Sequence, residues 1–492
     1  VLDLGTQTFD KFEEAIINLE LIEKIEANLP SGGGKKMASA EGVEITTKAA
    51  NDVALYDSGT GFVKNPDGTV TLTEENRNII SGVTYVSFYD IKNVSGLEYF
   101  TNVTSFYCEW VTEQESLDLT ALKNLTSIDC NSCNILTSLN VSGLDQLSYM
   151  NIKGCPLTSL DLTGLNSLTT LYMSETELTS LELSHLTNLT SLECMYCKLQ
   201  SLNVSGLTNL TSLVCANTQV ESLDLRGLTQ LNRLQCTDNR LTSLDLTDQK
   251  ECLTTLRCYG NNLGSLELSG LTKLQRLECY NIGAASLTLS DLPELTNLNC
   301  NNNQLTSLSL SNLPMITTLS CADNKLTSLD LSGLASLRTL ECNNNKLTAL
   351  NVSNLEELAY LYCRDNQLTA LDLTNFNLRN LVEVDCSNNQ LTGVLEILFP
   401  GNLTKLCCSN NKLTNIDING GDYILSHLEC HQNQMPKIFL ANYYKLYELK
   451  CGQQTNADGT PLTAELRIYS TRIEYWNTTW SKYPENANVT LK

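Results

Sequence analysis

The twenty cysteines are the residues whose chemistry has to be decided first. Thiols can form disulfides, ligate a metal or act as nucleophiles. Fifteen of them share one register with a spacing close to 21 residues: Cys108, Cys130, Cys194, Cys215, Cys236, Cys258, Cys279, Cys300, Cys321, Cys342, Cys363, Cys386, Cys408, Cys430 and Cys451. Phe88, Ile152 and Met173 fill the same register where cysteine is absent. Because a position that accepts these apolar residues belongs to a core, the sequence predicts a ladder of buried free thiols that act as small hydrophobes.

A disulfide framework is disfavoured by the same spacing. Neighbouring coils of a stacked repeat lie about 4.8 Å apart with parallel side chains. That separation keeps the Cβ atoms of adjacent ladder cysteines beyond the roughly 3.8 Å that a disulfide prefers. The ladder therefore does not indicate whether the protein works in an oxidising or a reducing compartment.

Metal-ligating residues occur in weak patterns. His427, Glu429 and His431 alternate, so a strand would place them on one face, with Cys407 at the matching outward position of the previous coil. These are zinc-ligand types, but residues two apart on a strand are nearly 7 Å apart, and solvated side chains are the default interpretation. We therefore predict no bound metal and no cofactor.

Calcium has two further weak candidates. The segment 65–74 resembles a calcium loop, but Val63 stands where an acidic first ligand belongs, so a surface turn is favoured. An acidic column recurs at the repeat spacing: Asp161, Glu182, Asp224, Asp245 and Glu267. Calcium would relieve the repulsion between these like charges, and solvent screening is the simpler alternative.

Catalytic groups are sparse. The chain has three histidines, His185, His427 and His431, and none has a paired serine or acid in a recognisable motif. No glycine-rich phosphate loop occurs either. The sequence therefore predicts a protein that is not an enzyme.

The elements that position these residues are the coils of a repeat. The stretch 189–210 is one unit, and self-similarity at a period of about 21 residues is typical of a solenoid. Each half of the unit alternates apolar and polar residues, which predicts two short strands per coil with few helices. Three residues after the ladder comes a second column: Asn239, Asn261, Asn303, Asn324, Asn345, Asn366, Asn389, Asn411 and Asn433. We expect these buried amides to pair with backbone groups that the turns leave free.

Four segments follow from this organisation. Residues 1–36 hold an amphipathic helix over 8–29 and a glycine-rich link, and residues 37–82 form an N-terminal cap. Residues 83–454 contain about 18 repeats, and residues 455–492 form a C-terminal cap. The tryptophans of the last segment, Trp476 and Trp480, belong to that cap or, alternatively, to an aromatic sugar-binding platform.

Charge and hydropathy exclude two classes of partner. The formal net charge of -23 disfavours nucleic acid, which needs a basic surface, and disfavours anionic membranes. No run of 18 apolar residues is present, so no membrane span is expected. The chain begins at Val1 and shows no signal peptide, so we expect a processed or trimmed chain.

The repeat signature Leu-x-x-Leu-x-Cys-x-x-Asn-x-Leu resembles that of bacterial leucine-rich repeat proteins, in particular the internalin family with short repeats and a cysteine ladder. The resemblance covers about three quarters of the chain. It implies a mainly β leucine-rich repeat solenoid with parallel strands on the concave face and short second strands on the convex side. It also implies an extracellular or cell-surface bacterial protein that binds partners, as in adhesion, on its concave face.

Variable outward residues on the first strand are the candidate binding sites. They lie three before, one before and one after the ladder residue. One cluster combines residue types enriched in interface centres, Arg233, Arg257, Tyr259, Arg276 and Tyr280. A second consists of Tyr360, Tyr362 and Arg364, and a third gathers Tyr149, Tyr172 and Tyr196. We predict that a protein or glycan partner contacts the first two clusters, although tyrosine is also an ordinary strand residue.

Overall fold

The computed structural model describes residues 78, 81–89, 97, 100–109, 114–375, 378–398, 401–419, 424–440 and 445–468, with the strands Glu44–Ile45, Val70–Thr71 and Val489–Leu491. The predicted helix over 8–29, most of the calcium-like segment and both C-terminal tryptophans lie outside these residues. The described part contains almost no helix; a short 3-10 turn spans Thr247–Gln249.

One long parallel sheet organises the molecule. Its eighteen strands follow chain order, and each is paired in register with its neighbours, as Leu192 is with Leu213. The strands are Tyr85–Tyr89, Ser105–Glu109, Ser127–Asp129, Tyr149–Asn151, Thr170–Tyr172, Ser191–Glu193, Ser212–Val214, Arg233–Gln235, Thr255–Arg257, Arg276–Glu278, Asn297–Asn299, Thr318–Ser320, Thr339–Glu341, Tyr360–Tyr362, Glu383–Asp385, Lys405–Cys407, His427–Glu429 and Glu448–Lys450. A ladder residue coincides with or directly follows each strand, so we name each coil after it. This is the concave sheet of a leucine-rich repeat solenoid, as the sequence predicts.

Second strands form on the convex side in only some coils. They pair in parallel as Ser116–Asp118 with Ser138–Asn140, Ser286–Ser290 with Ser307–Ser311, Thr392–Leu398 with Lys412–Asn419, and Lys437–Leu440 with Ala464–Ile468, which also pairs with Val489–Leu491. In most other described coils this half runs extended without strand pairing. The prediction of a second strand in every coil is therefore wrong, because alternation alone does not specify hydrogen bonds between coils.

The core consists of columns of buried leucines that run along the stack, together with the column of ladder cysteines. In the Cys194 coil, Leu192, Cys194, Leu199, Leu207 and Leu210 are all fully buried. The fifteen ladder cysteines are free and buried, which confirms the interpretation of the ladder as a core column. Each coil therefore depends on its neighbours to cover its apolar edges.

The second column joins adjacent coils through buried amides. Asn324 donates through Nδ2 to the carbonyl oxygens of Cys300 and Cys321, both at 3.1 Å, and to that of Ala322 at 3.0 Å. Its Oδ1 accepts the backbone N–H of Leu305 at 3.0 Å. The other asparagines of this column make closely similar bonds, and Gln454 extends the column to the Cys451 coil. The expected pairing of buried amides with backbone groups is present.

A left-handed turn residue precedes this column in every coil from Cys130 to Cys451. Its φ is 51° at Asn302, 56° at Tyr196 and 61° at Glu175. Asparagine and aspartate tolerate this conformation better than other non-glycine residues, which explains their frequency here. The turn also aims the following side chain into the core.

Candidate functional site

The concave sheet exposes the positions that the sequence analysis selected. In Arg276–Glu278 the outer two residues are half-buried and the central leucine is buried. The residue after the ladder cysteine, such as Tyr280, is also half-buried. Side chains from these positions on successive coils form continuous columns about 4.8 Å apart.

The first cluster is brought together on three adjacent coils. Arg257 and Arg276 share the carboxylate of Glu278: Arg276 Nε lies 2.6 Å from Glu278 Oε1, and Arg257 Nε lies 3.5 Å from Glu278 Oε2. Arg257 also donates from Nη1 to Gln235 Oε1 at 3.3 Å. The Arg257 side chain is only 16% exposed, against 43% for Arg276. Arg257 is therefore the less exposed arginine, fixed by contacts with both Glu278 and Gln235, and Arg276 is the more accessible one.

Arg233 differs from the other two arginines. It pairs through its backbone with Ser212 and Thr255, and its side chain makes no ion pair among the described residues. One carboxylate, Glu278, thus serves two of the three guanidinium groups. Asp238 is a second carboxylate beside Tyr280, so three arginines face two acids and the cluster keeps one excess positive charge on an otherwise acidic chain.

Two tyrosines complete this cluster. The rings of Tyr259 and Tyr280 stack with centroids 4.0 Å apart and an interplanar angle of 12°. Burial, together with a hydrogen bond to Tyr259, raises the pKa of Tyr280 above its usual range. Asp238 lies over Gly260, where an added Cβ would approach Asp238 Oδ1 to 2.2 Å. A stacked aromatic pair beside arginine side chains is an arrangement suited to molecular recognition.

The second cluster has a different charge environment. Tyr360, 38% exposed, and Tyr362 project from the same strand, and Tyr362 lies between Glu341 and Asp385 in the sheet register. Burial raises the pKa of Tyr362, and the charge of nearby Glu383 raises it further. Acidic neighbours therefore surround these tyrosines, unlike the arginines of the first cluster.

Arg364 pairs with the acidic residue that follows it in its own coil. Its Nε lies 3.5 Å from Asp365 Oδ2, at the left-handed turn. In the third group, Tyr149 and Tyr172 meet edge to face with centroids 5.9 Å apart. Tyr196 is 53% exposed and occupies a left-handed turn position instead of a strand.

The weak zinc candidates are engaged in other interactions. His427 Nε2 lies 3.1 Å from Glu448 Oε2, and Glu429 Oε1 lies 2.7 Å from Lys450 Nζ. Among the described residues, no group of three His, Cys, Asp or Glu side chains could hold a metal ion. Glu429 thus forms an ion pair with Lys450 on the next coil, where His427 contacts Glu448.

The acidic column on the convex side has a structural role. Each carboxylate accepts the backbone N–H two residues later, as Asp245 does from Thr247 at 3.0 Å and Glu182 from Ser184 at 2.9 Å. These bonds and those from the hydroxyls lower the pKa of the carboxyls, and that of Asp224 falls to about 2 beside Arg226. Hydrogen bonds from the turn of its own coil stabilise each carboxylate, so calcium is not needed to explain the column.

Sequence reasoning missed two features of the site. Glu278 lies between the arginines at a position that the sequence analysis treated as outward, and its charge type next to Arg257 and Arg276 was the available signal. The second was the left-handed turn, which the repeated Asn or Asp before the asparagine column indicates.

Comparison with solved structures finds the same fold in several leucine-rich repeat proteins. The functional domain of InlJ from Listeria monocytogenes, which includes a cysteine ladder, is 26% identical; the match covers 72% of this chain and 79% of that one, with a TM-score of 0.61. YopM from Yersinia enterocolitica is 20% identical over 80% of this chain and 88% of its own, with a TM-score of 0.62. A leucine-rich repeat protein from Leptospira interrogans is 22% identical over 77% and 93%, with a TM-score of 0.55.

No family model matches the sequence, and the comparison with curated proteins finds no match. Within the described residues, no helix is long and apolar enough to cross a membrane. The cysteine ladder, the parallel concave sheet and the similarity to InlJ lead to one assignment. The chain has the leucine-rich repeat fold and is similar to InlJ, which also has a cysteine ladder.

Proposed function

We propose that this protein is a non-catalytic extracellular or cell-surface protein that binds a protein or glycan partner on its concave sheet. The single observation that carries the proposal is the first cluster: three arginines on adjacent coils with one carboxylate between them, beside a stacked tyrosine pair. Arginine and tyrosine are enriched at the energetic centres of interfaces. An exposed cationic group in this setting is suited to an acidic group of the partner.

Arg233 and Tyr259 are the sharpest probes of this surface. Arg257 is held by Glu278 and Gln235, so its removal would also disturb the sheet. The neighbouring coils supply replacements that the fold already accepts: Ser212 stands at the position of Arg233, and Thr237 at that of Tyr259. The variant Arg233→Ser, Tyr259→Thr therefore changes the surface with little change to the coil.

The experiment measures binding of the labelled full chain to cultured epithelial cells and to an array of immobilised glycans. We expect the double variant to lose at least tenfold in affinity, about 1.4 kcal/mol, on the probe that binds the parent. The control is Arg226→Ser on the convex side, where Arg226 is 78% exposed and pairs with Asp224. It removes one positive charge, as Arg233→Ser does.

Equal binding by the double variant and the parent would remove the first cluster from the proposal. Equal loss in the double variant and the Arg226→Ser control would show that overall charge, and not the concave cluster, governs binding. Glycan-array binding that survives in the double variant would direct attention to the alternative sugar platform at Trp476 and Trp480.

A further inference from the structure

Thiols from two different columns meet near the first strands of the sheet. Cys133 stands in the asparagine column of the Cys130 coil, and its Sγ lies 3.7 Å from Cys108 Sγ. The same Sγ lies 3.3 Å from the carbonyl oxygen of Cys108. Cys108 is 1% exposed and Cys133 fully buried. We propose that Cys108 and Cys133 form an internal disulfide that joins two adjacent coils when the chain meets a disulfide oxidant.

The relative orientation of the columns favours this pair over ladder neighbours. Cys108 lies in one strand and Cys130 directly follows the next, and the two strands pair in register, as Tyr107 does with Asp129. Side chains of one column run parallel with Cβ atoms about 4.8 Å apart, which exceeds the separation that a disulfide prefers, although the Cys108 and Cys130 thiols lie within hydrogen-bonding reach. The same Cβ limit applies to Cys133 and Cys155, which share the second column and are also in hydrogen-bonding reach. Cys133 approaches Cys108 from a different column, so the two sulfurs can converge from separate directions.

Closing the bond requires a modest movement. The sulfurs must approach from 3.7 Å to the roughly 2.05 Å of a disulfide, a change that side-chain rotation can supply with small shifts of the coil. From the Cys236 coil onward the equivalent position is asparagine, as at Asn239 and Asn261, or in two coils Ile282 and Gln454, so no second-column thiol faces the ladder there. A disulfide between the two columns is thus possible only in the early coils.

The reaction is thiol–disulfide exchange, and the small disulfide is the only reactant that it needs besides the two cysteines. The Cys108 thiolate attacks one sulfur of a small disulfide such as glutathione disulfide, forming a mixed disulfide and releasing one thiolate. The Cys133 thiolate then attacks the Cys108 sulfur, the new S–S bond forms, and the second small thiolate leaves. The two protons from the cysteines pass to the released thiolates. Two electrons pass from the cysteine sulfurs to the oxidant.

Opening of the early coils provides the access that this reaction needs. The strand Tyr85–Tyr89 pairs on only one side among the described strands, and Ser105–Glu109, which carries Cys108, is next to it. Terminal coils of a solenoid have fewer neighbours and open more readily than central ones. Hydrogen bonds with Cys130 and Cys133, and burial, raise the pKa of the Cys108 thiol. Oxidation therefore proceeds during folding or opening of these coils, and slowly in the closed state.

Peptide mapping tests the proposal directly. The full chain is incubated in buffers of reduced and oxidised glutathione at several ratios, both folded and during refolding from denaturant. Free thiols are then blocked with N-ethylmaleimide, and the digest is analysed by mass spectrometry. We expect one linked pair of peptides that carries Cys108 and Cys133, with a mass lower by two hydrogen atoms. The ladder cysteines Cys279 and Cys300 stay fully blocked as internal controls.

Two matched variants sharpen this result. Cys133→Asn introduces the residue of the later coils and should abolish the linked pair, whereas Cys155→Asn should leave it in place; circular dichroism checks that both are folded. Complete blocking of all twenty cysteines at every ratio in both procedures would overturn the proposal. A link from Cys108 to Cys130 would overturn it as well. The map of the parent chain tests the proposal even where a variant does not fold.

Discussion

The early coils, from Cys130 to Cys215, and the late coils, from Cys236 to Cys451, hold the same turn with different chemistry. The left-handed φ is 56° at Tyr196 and 51° at Asn302, so the backbone is alike. In the late coils an asparagine makes several hydrogen bonds that join two coils, except in the Cys279 coil, which has Ile282, and the Cys451 coil, which has Gln454. In the early coils the equivalent Cys197 donates its thiol to the carbonyl oxygen of Met173 at 3.1 Å, with a longer contact of 3.6 Å to that of Met195.

This difference shows which part of the repeat specifies the fold. Because the turn persists where the asparagine is absent, the leucine columns and the sheet pairing suffice to form it. The amide adds strength by satisfying backbone groups that packing cannot reach. Replacing one side chain of the second column should therefore lower the free energy of unfolding more in the late coils than in the early coils.

Removal of one late amide is the largest effect that we expect. Asn324→Ala leaves the N–H of Leu305 without its side-chain acceptor and removes donors from three carbonyl oxygens. Unpaired buried groups cost roughly 1–3 kcal/mol each, so we expect a loss of about 3 kcal/mol in the free energy of unfolding. Guanidinium unfolding measures the loss, and amide hydrogen exchange checks that protection falls first around the Cys321 coil.

The matched early substitution is Thr176→Ala. Thr176 Oγ1 lies 3.2 Å from Cys197 Sγ, a weaker partner than a carbonyl oxygen. We expect a loss of about 1 kcal/mol or less. Equal losses at Asn324 and Thr176 would contradict the distinction between the two regions.

The next effect concerns a carboxylate that the early coils bury at some cost. Burial raises the pKa of Asp129 to about 6, although Oδ1 accepts hydrogen bonds from the N–H of Asn131 at 3.1 Å and from Asn151 Nδ2 at 3.2 Å. The ordinary pKa of an aspartate is about 3.9, so the folded state binds the proton more tightly than the unfolded state. The ionised form therefore destabilises the fold at pH 7, and this penalty shrinks as the pH falls from about 6 to about 4.

Asp129→Asn removes the charge and retains an acceptor oxygen. We expect this variant to be more stable than the parent by about 2 kcal/mol at pH 7 and equally stable near pH 4. Unfolding midpoints at the two pH values measure the difference. A stabilisation that is the same at both values would show that solvation of Asp129 is not the cause. As a control, Asp330→Asn on the convex side, where hydrogen bonds to Ser332 lower the pKa of the carboxyl, should give no stabilisation at pH 7.

Periodicity predicted the scaffold well because every coil repeats the same packing. The substitution of Ile152 and Met173 for cysteine was enough to identify the ladder as core, and the amide chemistry of the asparagines indicated their backbone bonds. The convex strands were not predictable in the same way. Strand pairing extends at Ser286–Ser290 and Ser307–Ser311, where Thr288 and Ser309 replace the turn-capping acid or amide of other coils.

The candidate site was only partly predictable for a different reason. The spacing placed Arg233, Arg257 and Arg276 on one face, and the sheet brings them together. Spacing does not determine which guanidinium group is held by a carboxylate, because that depends on side-chain rotamers across coils. One sequence could not show that Glu278 pairs with both Arg257 and Arg276, or that Arg257 is the less exposed of the two.

The smallest effect comes from transferring the late chemistry into an early coil. Cys197→Asn places an amide where it can donate to the carbonyl oxygens of Met173 and Cys194, as Asn324 does to those of Cys300 and Cys321. Its oxygen would accept the N–H of Leu178, the counterpart of Leu305. We expect a gain of about 1 kcal/mol, since the bonds formed are partly offset by burial of a polar group in place of a thiol.

Guanidinium unfolding of Cys197→Asn and of the reverse variant Asn345→Cys measures both directions of the exchange. Asn345 makes three donor contacts of 3.0 to 3.2 Å, so the reverse change should cost more than the forward change gains. If Cys197→Asn is destabilising, the early turn differs from the late one in a way that its φ does not reveal, such as too little room beside Met173 for the amide. If it stabilises, the early coils lack the asparagine column for a reason other than fit, because the backbone accepts the amide.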